Sequence, residues 1–274
     1  MIVLCTGCRS GFGLLIAVTA ARAGHTVYAG LRDLETAGDL REAAGSLDVR
    51  PVQLDVTNAE EREAVVSAIV EEHGRLDAVI NNAGVALGGF IEQIAEDELR
   101  RLFDVNVFAA WALTKVCLPH LRASREGIVI NITSMAGRQA MPGLGGYAGS
   151  KFALEGITEA LRHEMRPFGV RVVLVEPGPY ATDIFGRNRR IAKATEEAAG
   201  PYTAYMRRME QLVEKMSARM GDPQEVADLV THLLEEAKPR LRYPLGPGVA
   251  ARVWSRRMLP FEGVEKVLER ILGF

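Results

Sequence analysis

Ile2-Val3-Leu4-Cys5-Thr6-Gly7-Cys8-Arg9-Ser10-Gly11-Phe12-Gly13 is the stretch on which the fold turns. Its first four residues are a short apolar run with β-branched Ile2 and Val3, the mark of a buried strand. From Leu14 to Ala23 apolar residues recur at three- and four-residue intervals, the mark of a helix face. Between the two lie Gly7, Gly11 and Gly13, which let the backbone come close to a ligand. A helix that opens this way presents unpaired N–H groups and the positive end of its dipole, an arrangement that favours a phosphate. Glycine clusters are common in turns, so the strand before and the helix after are what give this one chemical meaning.

The same alternation continues along the chain. Strand-like runs follow at Thr26 to Ala29, Arg50 to Leu54, Ala78 to Ile80, Ile128 to Ile132 and Val170 to Val175. Helical periods fill the intervals at Leu34 to Ala44, Ala59 to His73, Asp97 to Leu121 and Tyr147 to Pro167. Strand and helix in strict alternation imply right-handed crossovers, and so a doubly wound α/β fold with helices on both faces of a parallel sheet. The 274 residues fit one such core, and a single domain over 1–274 is expected. The pattern loosens between Pro179 and Asp222, where Met206, Met209, Met216 and Met220 sit among charges; 179–222 is expected to form a helical lid. A helix from Pro223 to Ala237, a last short strand within 239–244 and a C-terminal extension over 244–274 complete the reading.

Bulk properties exclude several partners. The formal net charge is -2 with both signs mixed along the chain, so no field draws in a polyanion, and nucleic acid is not expected. Met1 leads directly into the first strand without a cationic and apolar leader, and no unbroken apolar run reaches the ~20 residues of a membrane helix, so a cytoplasmic protein is expected. Cys5 and Cys8 form a C-x-x-C, but the one other cysteine is Cys117 and no histidine stands at ligand spacing nearby; no metal site is expected. Arg252, Arg256 and Arg257 in the tail are read as packing on the body rather than lying on a membrane.

Tyr147 and Lys151 stand four residues apart, hence on one face of a helix, and Tyr147 alone of the six tyrosines has such a partner. A phenol with its pKa near 10 is a poor base, and a neighbouring cation is expected to lower it by ~1 to 3 units. Such a phenol can pass a proton to or from an oxygen. Glu176 lies at a strand end, where a structural role is as good a reading, and the five histidines are scattered without a catalytic pattern.

The spacing T-G-x-x-x-G-x-G over Thr6 to Gly13 resembles the short-chain dehydrogenase/reductase family. The likeness continues through Asp55, Asn81-Asn82-Ala83-Gly84, Asn106, Ser134, Tyr147, Lys151, Pro177-Gly178 and Thr182, and covers nearly the whole chain. It implies a Rossmann-type fold and a nicotinamide cofactor. Thr6, Gly7, Arg9, Ser10, Gly11, Phe12 and Gly13 would then form the pyrophosphate side, with Asp55 and Val56 at the adenine. Asn82, Ala83 and Gly84 would support the nicotinamide side, Tyr147 and Lys151 the ribose, and Pro177, Gly178 and Thr182 the carboxamide. It further implies Tyr147 as the acid-base residue, Ser134 on the reacting oxygen and Asn106 anchoring a water that links Lys151 to solvent.

An NAD site places an acid at the end of the second strand; here Leu31 stands there, followed by Arg32, and Arg9 projects from the loop, so NADP(H) is expected. Val27 to Asp33 and Ser150 to Gly156 look most like the hydroxysteroid and retinol dehydrogenase branch, which implies a lipophilic alcohol or carbonyl. Expected pocket residues are Val85, Leu87, Phe90, Met141, Leu144, Tyr180, Phe185 and the lid methionines. The resemblance also implies a homodimer or homotetramer through the Asp97 and Tyr147 helices. A 3-oxoacyl thioester reductase and a non-catalytic dinucleotide sensor are the competing readings.

Overall fold

The computed structural model describes residues 1–182, 189–196, 202–203, 205, 208, 220–258 and 260–272. Its strands are β1 (Ile2–Thr6), β2 (Thr26–Leu31), β3 (Val49–Gln53), β4 (Ala78–Asn81), β5 (Ala86–Gly88), β6 (Ile128–Ile132), β7 (Arg171–Pro177), β8 (Arg189–Ile191) and β9 (Arg242–Leu245). Seven of them form one parallel sheet in the order β3-β2-β1-β4-β6-β7-β9. The helices are α1 (Gly11–Arg22), α2 (Gly38–Ala44), α3 (Ala59–His73), α4 (Glu96–Phe103), α5 (Ala110–Ala123), α6 (Gly145–Met165), α7 (Lys193–Glu196), α8 (Gln224–Glu235), α9 (Val249–Met258) and α10 (Phe261–Leu272).

Successive side chains of a strand point to opposite faces, and both faces here are covered, which is why the strands read as unbroken apolar runs. Val3 and Cys5 of β1 join Ile16, Val226 and Val230 on the α1 and α8 side, while Leu4 joins Val66, Ile69, Leu113 and Cys117 on the α3 and α5 side. The doubly wound fold is thus as expected, with β9 as the seventh strand.

Two expected helices differ. Leu34 to Ala44 does not form one helix: Asp33 accepts from the Glu35 amide at 2.9 Å, the chain makes a 3-10 turn over Leu34–Thr36, and α2 starts only at Gly38. A short carboxylate bonding to its own backbone competes with regular helix at this point. Asp97 to Leu121 is also not one regular helix, because a π-helical turn over Asp104–Ala109 separates α4 from α5. Glu96–Ala123 taken together is long and apolar enough by length and composition to cross a membrane, although no unbroken apolar run marks it; Leu102, Val107, Leu113, Cys117 and Leu121 bury one side of it in the protein.

The second sheet was not expected. β5 and β8 pair in parallel, Ala86 with Arg189 and Gly88 with Ile191, and so fasten residues 189–191 to the strand that follows the turn at Asn82 to Gly84. Three-residue strands are too short for a period to show. Phe185, Met206, Met209 and Met216 lie outside the described residues. The tail supplies α9 and α10, and buried Val249 abuts the backbone at Gly178.

Candidate active site

The loop after β1 is laced to the turn after β4. The Thr6 hydroxyl accepts from the amides of Asn82 and Ala83, both at 3.0 Å, and the Asn82 side chain donates to the carbonyls of Thr6 and Gly7 at 2.8 and 3.2 Å. Gly7 has φ +72, open to glycine. At Gly13 a Cβ would stand 2.2 Å from the Gly7 carbonyl oxygen, so the helix can approach the loop only without a side chain there.

These loops open into a cavity of about 1200 Å³ along the carboxyl ends of the strands. Gly7, Arg9, Ser10, Gly11 and Phe12 line it, as do Arg32, Asp55, Val56, Asn82, Ala83 and Gly84. So do Ser134, Tyr147, Lys151, Pro177, Gly178 and Thr182. Thr6, Gly13 and Asn106 do not reach the wall; they hold it from behind. Arg9 and Arg32 share the cavity with Leu31, Asp33 and Thr36, and no acid replaces Leu31 at the end of β2. The Asp55 carboxylate accepts from the Thr57 amide and hydroxyl at 2.9 and 2.7 Å, which fixes the turn into α3.

Helix α6 carries Tyr147 and Lys151 into the cavity, each only 3% exposed. The Tyr147 phenol hydrogen-bonds to Ser134, and the Lys151 ammonium donates to the Ile132 carbonyl at 3.1 Å and lies 5.8 Å from the Tyr147 ring centroid. The expected lowering of the phenol is not found. Burial pushes Tyr147 up to about 12, against a smaller lowering by Ser134, and burial pushes Lys151 down to about 8. Loss of water penalises both charged forms.

Asn106 makes three side-chain hydrogen bonds behind the cavity wall. Its amide accepts from the Val85 N–H and donates to the Val85 carbonyl, both at 2.9 Å, and donates to Ser150 at 3.0 Å. The side chain thus clamps the start of β5 to α6 from within the π-helical turn.

Residues 1–193 match the family model for short chain dehydrogenases. The chain belongs to the short-chain dehydrogenase family. It is 35% identical to 3-ketodihydrosphingosine reductase of Bacteroides thetaiotaomicron, over 90% of this chain and 88% of that one. It is 34% identical to human 17-beta-hydroxysteroid dehydrogenase type 1, over 88% and 76%. A short-chain dehydrogenase structure from Streptomyces avermitilis superposes with a TM-score of 0.83 at 33% identity, covering 98% of this chain and 96% of that one. An alcohol dehydrogenase from the archaeon Thermococcus sibiricus, complexed with 5-hydroxy-NADP, superposes with a TM-score of 0.71 at 25% identity, covering 89% and 95%. This protein is therefore an oxidoreductase whose family binds a nicotinamide dinucleotide.

In this short-chain dehydrogenase apolar Val85, Ala86, Leu87 and Leu102 also line the cavity, together with charged Glu98, Arg101, Asp104, Arg190 and Lys193. Of the expected pocket residues, Tyr180 lines it too, but its ring is buried against Phe12 and its hydroxyl donates to Glu225 at 2.9 Å. Phe90 instead stacks on Tyr202 and Tyr205, with centroids 4.3 and 5.0 Å apart, and Met141 and Leu144 stand off the cavity wall. Glu176 is fully buried and accepts from Arg138 at 3.2 Å and Arg242 at 2.9 Å. Arg242 also contacts Glu155 and Glu159, and the Thr133 hydroxyl donates to Glu155 at 2.6 Å. This network ties the backbone before Ser134 and before Pro177 to α6; Thr133, Arg138, Glu155 and Arg242 had no local pattern to reveal them.

Proposed function

We propose that this short-chain dehydrogenase is a cytoplasmic, NADP(H)-dependent carbonyl reductase of lipophilic substrates, ketone to secondary alcohol or aldehyde to alcohol, acting as a homodimer or higher homo-oligomer. The observation that carries the reading is the hydrogen-bonded pair Tyr147 and Ser134 beside Lys151, buried in one wall of the cleft. Bound NADPH supplies the hydride for the carbonyl carbon. Ser134 holds the carbonyl oxygen, and Tyr147, which keeps its proton at neutral pH, delivers it to that oxygen as charge develops. Lys151 fastens the cofactor ribose next to Tyr147 and stabilises the phenolate left behind.

Arg9 and Arg32 support the choice of NADPH, since a guanidinium from the loop after β1 and one from the end of β2 line the same cavity and suit a 2′-phosphate, and Leu31 offers nothing to a free hydroxyl. The likeness to relatives named for a ketosphingoid base and a steroid supports a lipophilic substrate, to which Val85, Ala86, Leu87 and Leu102 offer apolar contact beside the charged side chains of the lining.

The test is oxidation of NADPH and of NADH by purified protein against long-chain ketones, steroids, retinaldehyde and acyl thioesters. Tyr147→Phe is expected to bind NADPH as tightly as the parent and to lose about 10²- to 10⁴-fold in turnover. Arg32→Ala is expected to weaken NADPH by about tenfold, the loss of one charge-assisted contact, and to spare NADH. Turnover undiminished by Tyr147→Phe would remove the mechanism, and NADPH binding indifferent to Arg32→Ala would remove the cofactor assignment.

A further inference from the structure

Arg190 and Lys193 belong to no motif of the sequence, and both line the cleft. Arg190 is the central residue of β8 and pairs in register with Leu87 of β5. Residues paired across neighbouring strands put their side chains on one face of the sheet, so the stem of Arg190 stands beside Leu87. Leu87 in turn packs in one apolar cluster with Ala86, Leu102, Ala192 and Tyr147. Ala192 is fully buried, and its amide donates to the Gly88 carbonyl at 2.8 Å. Arg190 and Lys193, which flank Ala192 in the chain, are thus borne by a segment fastened to the cluster that holds Tyr147.

Among the described residues neither the Arg190 nor the Lys193 side chain has an ion-pair or hydrogen-bond partner. The other charges of the wall differ. Glu98 accepts from the Ala95 amide at 3.0 Å and from the Lys193 amide at 3.2 Å, one with each oxygen, and Arg101 pairs with Asp97 at 2.6 Å. Asp104 stands on another element, the π-helical turn that also carries exposed Phe108. Two unpartnered cations at the edge of the apolar cluster around the proton donor suit a ligand with a carbonyl, an apolar stem and an anionic end. A guanidinium meets a carboxylate through two parallel N–H···O bonds.

We propose that the substrate is a lipophilic oxo acid whose carboxylate is bound by Arg190, with Lys193 adding its charge, while the ketone lies at Ser134 and Tyr147. Arg190 is then a specificity-determining residue. This rests on the reading of the cleft as a carbonyl reductase site and names the class of substrate for it.

Reduction by NADPH of long-chain oxo acids that differ in the spacing of ketone and carboxylate, each beside its methyl ester, tests it. At the fitting spacing the parent is expected to favour acid over ester by about tenfold in kcat/KM, the worth of one charge-assisted hydrogen bond. Arg190→Met keeps a stem against Leu87 and is expected to bring that ratio to about one. Arg190→Lys keeps the charge without the planar fork and is expected to retain part of the preference. Arg190 is exposed, so neither substitution threatens the fold. A parent that reduces neutral ketones and prefers no acid, or an unchanged preference in Arg190→Met, would overturn the proposal. So would a fall in NADPH affinity in Arg190→Met, read by direct titration, since it would give the cation to the cofactor. A parent that reduces neither the acids, the esters nor the neutral carbonyls of the wider panel would defeat the reductase reading, and this proposal with it.

Discussion

Lys151 and Tyr147 each hold their neutral form more firmly than they would in water, because the helix that brings them to the cleft also removes them from solvent. For Lys151 this has a measurable consequence for stability. Its folded pKa of about 8 lies below the ordinary 10.5, so between those values the unfolded chain binds the extra proton and folding grows more favourable as pH rises. Below pH 8 the burial penalty is fully present, on the order of 3 kcal/mol for a shift of this size. Tyr147 acts in the opposite sense above pH 10, where the unfolded phenol ionises first, so the rise is read between 8 and 10. Buried Cys8 and Cys117, both held above the ordinary thiol range, lower stability as pH rises through that window, so denaturant unfolding is expected to show stability falling more steeply with pH in Lys151→Met than in the parent; parallel profiles would refute the depressed lysine. The pair itself was legible, since a spacing of four residues on a helix is a local fact. The direction of the phenol's shift was not, because burial is decided by distant residues.

At the level of elements, β7, β9 and α6 meet through Glu176, Arg242 and Glu155, side chains far apart in sequence. Breaking a buried ion pair leaves a charge without water or partner, which costs more than the intact pair contributes. Arg242→Met is therefore expected to destabilise the fold by about 3–5 kcal/mol in denaturant unfolding. Adding Glu155→Gln should recover part of that loss, because Glu155 is then left with the Thr133 hydroxyl alone whereas Glu176 keeps Arg138. A double variant no more stable than the single one would show that the network does not act through charge. Helices and long strands in this region were readable from their periods, whereas the π-helical turn at Asp104–Ala109 and the short pair β5 and β8 were not. The turn lets Asn106 reach Val85, and a contact across 21 residues leaves no trace in a local period.

Over the whole molecule, three large aromatic side chains remain in water on α5 and α6 and the turn between α4 and α5: Phe108 is 56% exposed, Trp111 50% and Phe152 43%. Phe108 and Trp111 also line the cleft, and all three suit the homo-oligomer proposed above, which would cover them with its own copy. Sedimentation of the parent is expected to give at least a dimer, and Trp111→Glu combined with Phe152→Glu is expected to give one chain; an unchanged mass would place the contact elsewhere. Local sequence was enough for the alternating architecture, the glycine turn on β1 and the pairing of Tyr147 with Lys151 on one helix face, because each rests on spacing within one turn or strand. Which groups are dry was settled only when the sheet closed over them. The buried Glu176 network and the raised phenol of Tyr147 both follow from desolvation by residues brought from elsewhere in the chain.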